Sequence, residues 1–237
     1  MKGNLLYEGK AKQVFEVEGD DTLLVLSYKN DATAFNGQKK ANFVGKGRYN
    51  NLISSKVFEY LHDKGVASHF EKSLNETEQL VQKTTIIPIE VVVRNVAAGS
   101  ITRRLGIKEK TPFTQPLVEF YYKDDDLGDP IINDQHALML SDATEEELEQ
   151  IKRDALKVNE FLKEFFNGVN LTLADFKLEF GRNNAGEVIL SDEVSPDTCR
   201  LWDKETGEKM DKDVFREDLG DLLQVYDTIL NRLEAVK

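Results

Sequence analysis

The sequence predicts a two-lobed α+β protein with its cleft between the lobes. Three observations predict it: strands dominate the stretch up to Ala97, two long amphipathic helices follow, and a carboxylate-rich hairpin lies between those helices. With 237 residues, 40% of them hydrophobic, the chain is long enough to bury real cores.

Each element has its own signal. "LLYEG", "KQVFEVE" and "TLLVLSYK" are short, β-branched or aromatic runs separated by Gly, Asp and Asn turn residues, which is strand chemistry. Asn30–Asn51 is polar and rich in glycine and lysine, and it is longer than most connections, so it reads as a functional or mobile loop. Leu52, Val57, Tyr60 and Leu61 then share one face of a helix, and strands near Leu80–Lys83 and Ile86–Val96 close this half. In the second half, Thr144 and Glu147 form a Thr-x-x-Glu capping box. Leu148, Ile151, Ala155, Val158, Leu162 and Phe165 step by threes and fours behind it, ending near Gly168. Phe215, Leu219, Leu222, Tyr226, Ile229 and Leu233 predict a second such helix. Both stripes are core faces. "LTLADFKLEFG" and "VILSDE", joined by "RNNAGE", form the hairpin between them.

The net charge of −12 excludes non-specific nucleic-acid binding and adhesion to anionic membrane, so any phosphorylated ligand needs a local basic pocket. The single cysteine, Cys199, forms no internal disulfide, and a reducing cytoplasmic setting is expected. "MKGNLLYEGKAK" lacks the apolar core of a signal peptide, and no apolar run approaches the roughly 18–20 residues that span a bilayer. Three histidines and one cysteine argue against zinc and for a hard cation on carboxylates.

On a strand over Asp175–Phe180, Phe176, Leu178 and Phe180 share one face, while Asp175, Lys177 and Glu179 share the other. Such a face can simply be solvated. The returning strand, however, ends in "SDEVSPD", which brings Asp192, Glu193 and Asp197 back nearby; whether Asp192 or Glu193 faces Glu179 is not set by the sequence. Carboxylates without histidine or thiol suit Mg²⁺, and with lysines they point to nucleoside triphosphate chemistry. The "YEGKAKQVFEV" hairpin could lay backbone N–H groups, Lys10 and Lys12 over phosphates, though it carries one glycine and no P-loop pattern exists. In "VVVRNVAAGSITRRLG", Ser100 opens a short helix ended by Gly106, and its N-terminus favours an anion. Arg94 can add a bidentate fork to the same phosphate, with the small residues letting it approach the backbone. A plain salt bridge and a capping serine would explain the same residues.

Assembled, these segments resemble the SAICAR synthetase (phosphoribosylaminoimidazole-succinocarboxamide synthase) family. "IIPIEVVVRNVAAGS" and "LADFKLEFG" are similar to its two signatures, and "LYEGKAK", "NDATAFNG" and "SPDTCRLWD" stand in family order. The resemblance implies a kinase-like nucleotide-binding lobe of antiparallel strands over residues 1–86. An ATP-grasp-related α+β lobe for substrate and metal would occupy 87–237. It implies ATP-driven amide formation between the carboxylate of CAIR, a carboxylated aminoimidazole ribonucleotide, and L-aspartate, giving SAICAR, ADP and phosphate in purine biosynthesis. Mg²⁺ would be required and a homodimer is expected. By position, Glu179 and Asp192 match the metal ligands and also serve ATP. Arg94, Ser100 and Arg200 match the ribonucleotide phosphate site, Lys10 and Lys12 the ATP-phosphate hairpin, and backbone near Ile86 the adenine hinge. Asp175 and Lys177 match catalytic-type positions of the second signature. Asn36 stands where some members carry aspartate. The alternatives are a small-molecule kinase or phosphotransferase on the same lobe and a non-catalytic nucleotide-binding module.

Overall fold

The computed structural model describes residues 1–34 and 37–236. In chain order the elements are β1 (Lys2–Glu8), β2 (Lys12–Val17), β3 (Asp20–Tyr28), β4 (Asp31–Ala34), β5 (Lys39–Asn42), α1 (Lys46–Asp63), β6 (Phe70–Asn75), β7 (Glu78–Gln82), β8 (Thr85–Val96) and α2 (Ser100–Leu105). Then come β9 (Pro112–Tyr122), β10 (Ile131–Ile132), α3 (Asp134–Leu140), α4 (Glu145–Gly168), β11 (Leu171–Arg182), β12 (Val188–Ser191), β13 (Cys199–Asp203), α5 (Asp213–Arg216) and α6 (Leu222–Ala235).

Two antiparallel sheets carry the architecture. The first has the order β1-β2-β3-β7-β6, and the second has the order β10-β9-β8-β11-β12 with β13 also paired to β11. The strands expected in the first half are present as β1, β2, β3, β7 and β8. β8 does not close the first sheet, however: it lies at the middle of the second, and the expected boundary at 86/87 falls inside it.

The helices cover the second sheet. α1 buries Ile53, Val57, Phe58 and Leu61 completely, and α4 buries Leu148, Ile151, Ala155, Val158, Leu162 and Phe166. Both stripes join one core with Ile87, Ile89, Val91 and Val93 of β8 and Phe176, Leu178 and Phe180 of β11. Each fully buried large aliphatic or aromatic side chain there contributes about 1.5–3 kcal/mol relative to exposure. The α4 stripe ends on Phe166; Phe165 is only partly buried and stacks edge-on against it.

Three expectations are corrected. Asn30–Asn51 is not a long loop: β4 and β5 pair as a hairpin, and α1 begins at Lys46. The lysine and glycine content hid a helix whose first turn has no room for a side chain. A Cβ at Gly47 would lie 2.5 Å from the Tyr28 carbonyl oxygen. The C-terminal stripe is not one helix either. α5 ends at Arg216, Asp218 and Gly220 take positive φ, and Asp221 caps α6 by accepting from the Leu223 and Gln224 amides. Leu219, in the break, is exposed. Finally, the short helix does open on Ser100 and end at Gly106 as expected, but the capping-serine alternative is excluded, since Gly99 holds the cap position with φ 62.

The capping box is present as expected, with Thr144 Oγ1 accepting from the Glu147 amide at 3.2 Å and Glu147 accepting from the Thr144 amide at 2.8 Å. Thr144→Ala should lower stability by about 1 kcal/mol, read as a fall in urea midpoint at unchanged slope. Gly47→Ala should cost more, because backbone must move. A Gly47→Ala protein as stable as the parent would contradict this packing.

Candidate active site

A cleft of about 750 Å³ opens between the two sheets. Val14, Leu24, Leu26, Val81 and Ile86 give it an apolar wall, while Glu90, Arg94, Asp175, Lys177, Glu179 and Asp192 give it a charged floor. The floor follows from strand periodicity. β8 and β11 pair antiparallel with Arg94 opposite Asp175, Val92 opposite Lys177 and Glu90 opposite Glu179. The alternate residues of both strands are the buried core, so these charged side chains all emerge on the cleft side.

One end of this ladder gathers arginines. Arg94, only 3% exposed, donates from Nη1 to Asp175 Oδ2 at 2.6 Å and to the Ala98 carbonyl at 3.3 Å. Its Nε donates to Glu119 at 2.8 Å, and Nη2 reaches Ser100 Oγ at 3.2 Å and Tyr121 Oη at 3.1 Å. All five N–H groups of a guanidinium are thus engaged. Arg200 donates from Nε to Asp213 at 2.8 Å and from Nη1 to both Asp175 oxygens at 3.1 Å, leaving Nη2 without an acceptor among the described residues. Asp175 therefore clamps both arginines. The glycine before Ser100 has a concrete cause: a Cβ at Gly99 would stand 2.5 Å from Arg200 Nη2. The backbone adds a second cause, a φ of 62 that strains any residue with a side chain; Ala97 and Ala98 are buried.

The other end gathers carboxylates and lysines. Lys177 Nζ lies 2.7 Å from Glu179 Oε1, 2.8 Å from Glu90 and 4.0 Å from Asp192 Oδ2. Lys123 pairs with the second Glu179 oxygen, and Lys12 pairs with Asp192 and, at 3.0 Å, with Glu193. The hairpin register sets Glu179 opposite Ser191, so Asp192 lies just past the strand end with φ 63. Burial would raise the Asp192 and Glu179 carboxyls, but the lysines outweigh it and hold both below their usual range. Burial likewise would lower Lys177, yet Glu179, Glu90 and Asp192 hold it well above an ordinary lysine. These neighbours favour its ammonium form. Among the described residues no group of three or more His, Cys, Asp or Glu side chains could hold a metal alone. A pair of ionised carboxylates is the donor set of a hard cation that completes its shell with water and phosphate oxygens.

Behind the arginines, Asp197 is shared by Lys46 at 2.5 Å, Tyr226 Oη at 2.6 Å and Lys212 at 3.5 Å. Arg216 donates to Asp213 at 2.5 Å. Lys212 and Arg216 line the cleft, and burial pulls Lys212 below its usual range.

The structure thus gathers Arg94, Ser100, Asp175 and Arg200 at one end, and Lys12, Lys177, Glu179 and Asp192 at the other. Ile86 lies on the apolar wall beside Gln82 and Thr84. Lys10 separates from Lys12: it sits in the turn, half exposed, and pairs with Asp125 across the cleft mouth at 2.6 Å. Asn36 lies outside the described residues. Sequence reasoning missed Glu90, Glu119, Tyr121, Lys123, Lys212 and Arg216. For Glu119 and Tyr121 a signal existed, since "LVEFYY" alternates as a strand, but Pro112 and Pro116 masked it. Glu90 was a charge inside an apolar run, which marks a cleft-facing position.

Comparison with known proteins agrees along the whole chain. The SAICAR synthetase family model matches residues 5–233. The phosphoribosylaminoimidazole-succinocarboxamide synthase of Oceanobacillus iheyensis is 65% identical over 235 residues, covering 99% of each chain. That of Bacillus subtilis is 56% identical over 236 residues, covering 100% of this chain and 98% of its own. The crystal structure of the enzyme of this name from Ehrlichia chaffeensis superposes with a TM-score of 0.95 at 45% identity, covering 99% of this chain and 100% of that one. A SAICAR synthetase solved in complex with ADP gives 0.94 at 46%, covering 98% of each. Its sheets, its cleft and both signature strands being those expected of such an enzyme, the chain belongs to the SAICAR synthetase family.

Proposed function

We propose that the cleft joins the carboxylate of CAIR to the amine of L-aspartate at the expense of ATP, giving SAICAR, ADP and phosphate in purine biosynthesis. The observation that carries the reading is the β8–β11 ladder, which holds phosphate-binding cations at one end and cation-binding carboxylates at the other. A phosphotransferase would use the ATP end alone and leave the arginine end without a purpose; relatives named as synthases do not favour it.

The purine of ATP lies against Val14, Leu24, Leu26, Val81 and Ile86, with Lys12 along its phosphates and Lys10 at the cleft mouth. Residues 1–86 supply this wall, and 87–237 supply the substrate and metal side. The ribose phosphate of CAIR takes the open Nη2 of Arg200 and the Arg94–Ser100–Tyr121 cluster, whose hydroxyls turn to donate to it. Glu179 and Asp192 would hold Mg²⁺, which supplies Lewis-acid charge for phosphoryl transfer. A carboxylate oxygen of CAIR attacks the γ-phosphorus, the bond to ADP breaks, and an acyl phosphate forms. The aspartate amine then attacks the acyl carbon, loses a proton, and phosphate leaves. Lys177, fixed as a cation, stabilises the charge that moves through the first step. Asp175 positions the two arginines and acts through them. Lys212 and Arg216, two further cations of the cleft, face the carboxylates of L-aspartate. Among the described residues no helix is long and apolar enough to cross a membrane, and a cytoplasmic setting suits these substrates.

Omitting one component at a time tests the reaction: ADP release should require both CAIR and aspartate, and the product mass should carry the succinyl addition. Aspartate-independent ADP release with no adduct would overturn the ligase reading. Glu179→Gln should keep the fold and lose about 10²–10³-fold in turnover; near-parental activity would remove its metal role. Arg94→Ala and Gly99→Ala should each raise the requirement for CAIR about tenfold or more, following the loss of a charge-assisted contact, while leaving that for ATP nearly unchanged. An equal rise for ATP would move the arginine end to the nucleotide.

A further inference from the structure

β11 changes phase along its length. Leu171 and Leu173 belong to the core face, and so do Phe176, Leu178 and Phe180, although a regular strand keeps only every second residue there. The register with β13 explains the change. Leu173 pairs with Leu201 and Asp175 with Arg200, so Ala174 is one residue too many and forms a β-bulge. Ala174 packs with Ala98 and Trp202 in a separate cluster, away from the core that holds Leu173. Without the bulge, Asp175 would continue the phase of Leu171 and Leu173 into the core. With it, Asp175 emerges in the cleft and holds Arg94 and Arg200.

An amide pair stands beside the bulge. Asn95 follows Arg94 on β8 and falls in the phase of Ile87, Ile89, Val91 and Val93, on the side that α4 covers. Its Nδ2 donates to Asn159 Oδ1 at 2.8 Å and to the Leu173 carbonyl at 3.3 Å, while Asn159 Nδ2 donates back to Asn95 Oδ1 at 3.0 Å. The carbonyl can only accept, so it fixes which way the Asn95 amide points, and Asn95 in turn fixes Asn159. Asn159 is fully buried beside Val158 and Leu162 of the apolar stripe. For stability alone, two apolar side chains of the same shape would serve as well or better there. What the pair adds is a donor aimed at the main chain one residue before the bulge.

We infer that Asn95 is a positioning residue for the reaction: held by Asn159, it pins the Leu173 carbonyl, fixes the Ala174 bulge, and so sets where Asp175 holds the two arginines. The inference rests on the reading of the arginine end as the CAIR site. Asn95→Asp, Asn159→Asp, the double variant Asn95→Leu/Asn159→Leu and Arg94→Ala are compared by thermal unfolding and by KM for CAIR and for ATP. Both aspartate variants bury a carboxylate in the same pair and should lower the melting temperature by similar amounts. Only Asn95→Asp loses the donor to Leu173, so it should raise KM for CAIR about three- to tenfold, while Asn159→Asp stays within about twofold of the parent. The double leucine variant should melt at or above the parental temperature and still show the raised KM for CAIR, with KM for ATP nearly unchanged. Equal changes in KM for CAIR in the two aspartate variants, a parental value in the double leucine variant, or an equal rise in KM for ATP would overturn the inference. Arg94→Ala separates the two claims. If it leaves KM for CAIR at the parental value, the reading of the arginine end itself fails; if it raises that KM while Asn95→Asp does not, only the role of Asn95 falls.

Discussion

The antiparallel pairing of β8 with β11 is the constraint on which the rest depends. Its register sets Arg94 against Asp175 and Glu90 against Glu179, four residues apart on one strand. At about 3.3 Å per residue, that separates the two ends of the floor by roughly 13 Å. Everything else supports this pair. α1 and α4 cover its apolar face, β12 returns to bring Asp192 to Glu179, and β13 delivers Arg200 beside Asp175. A slip of one residue would turn every charge into the core.

The ion pairs on this floor are not there for stability. Removing one partner from a buried pair typically costs about 3–5 kcal/mol, whereas replacing the whole pair by well-packed apolar groups is often neutral or better. Arg94, Asp175, Lys177 and Glu179 are therefore retained against a simpler core, and their surroundings fix both geometry and protonation. Lys177 stays charged and Asp192 stays ionised because each sits among the other's kind. The site is built to hold charge still rather than to move protons.

Much of this was legible in the sequence where one periodicity ruled. The α4 stripe and its capping box, the alternation Asp175–Phe180 and the hairpin that follows were all visible, because a helix or strand with one buried face writes its period into the chain. Arg94 and Glu179 were visible as charges at strand positions whose neighbours are core. Legibility failed where tertiary partners decide. Nothing local says that Gly99 is shaped by Arg200, a hundred positions away, or that Asp175 must hold two arginines at once. The β4–β5 hairpin and the first turn of α1 hid behind lysine and glycine, and Phe215 and Tyr226 looked like one helix because their stripe continues across a break set by Asp218 and Gly220. β9 hid behind its prolines, and with it went Glu119 and Tyr121.

The clamp of Asp175 on Arg94 and Arg200 has a consequence for discrimination among anions. Before any ligand arrives, nearly every cation of this end already has an internal counter-anion. A stray phosphate or chloride must compete with carboxylates that are tethered, desolvated and already in place, and a single contact does not repay that displacement. A ligand that reaches the open Nη2 of Arg200, the hydroxyls of Ser100 and Tyr121, and the other end of the ladder together meets them as one body. The internal carboxylates act as placeholders, so an acidic protein can keep a cluster of arginines in water without becoming a general sink for anions.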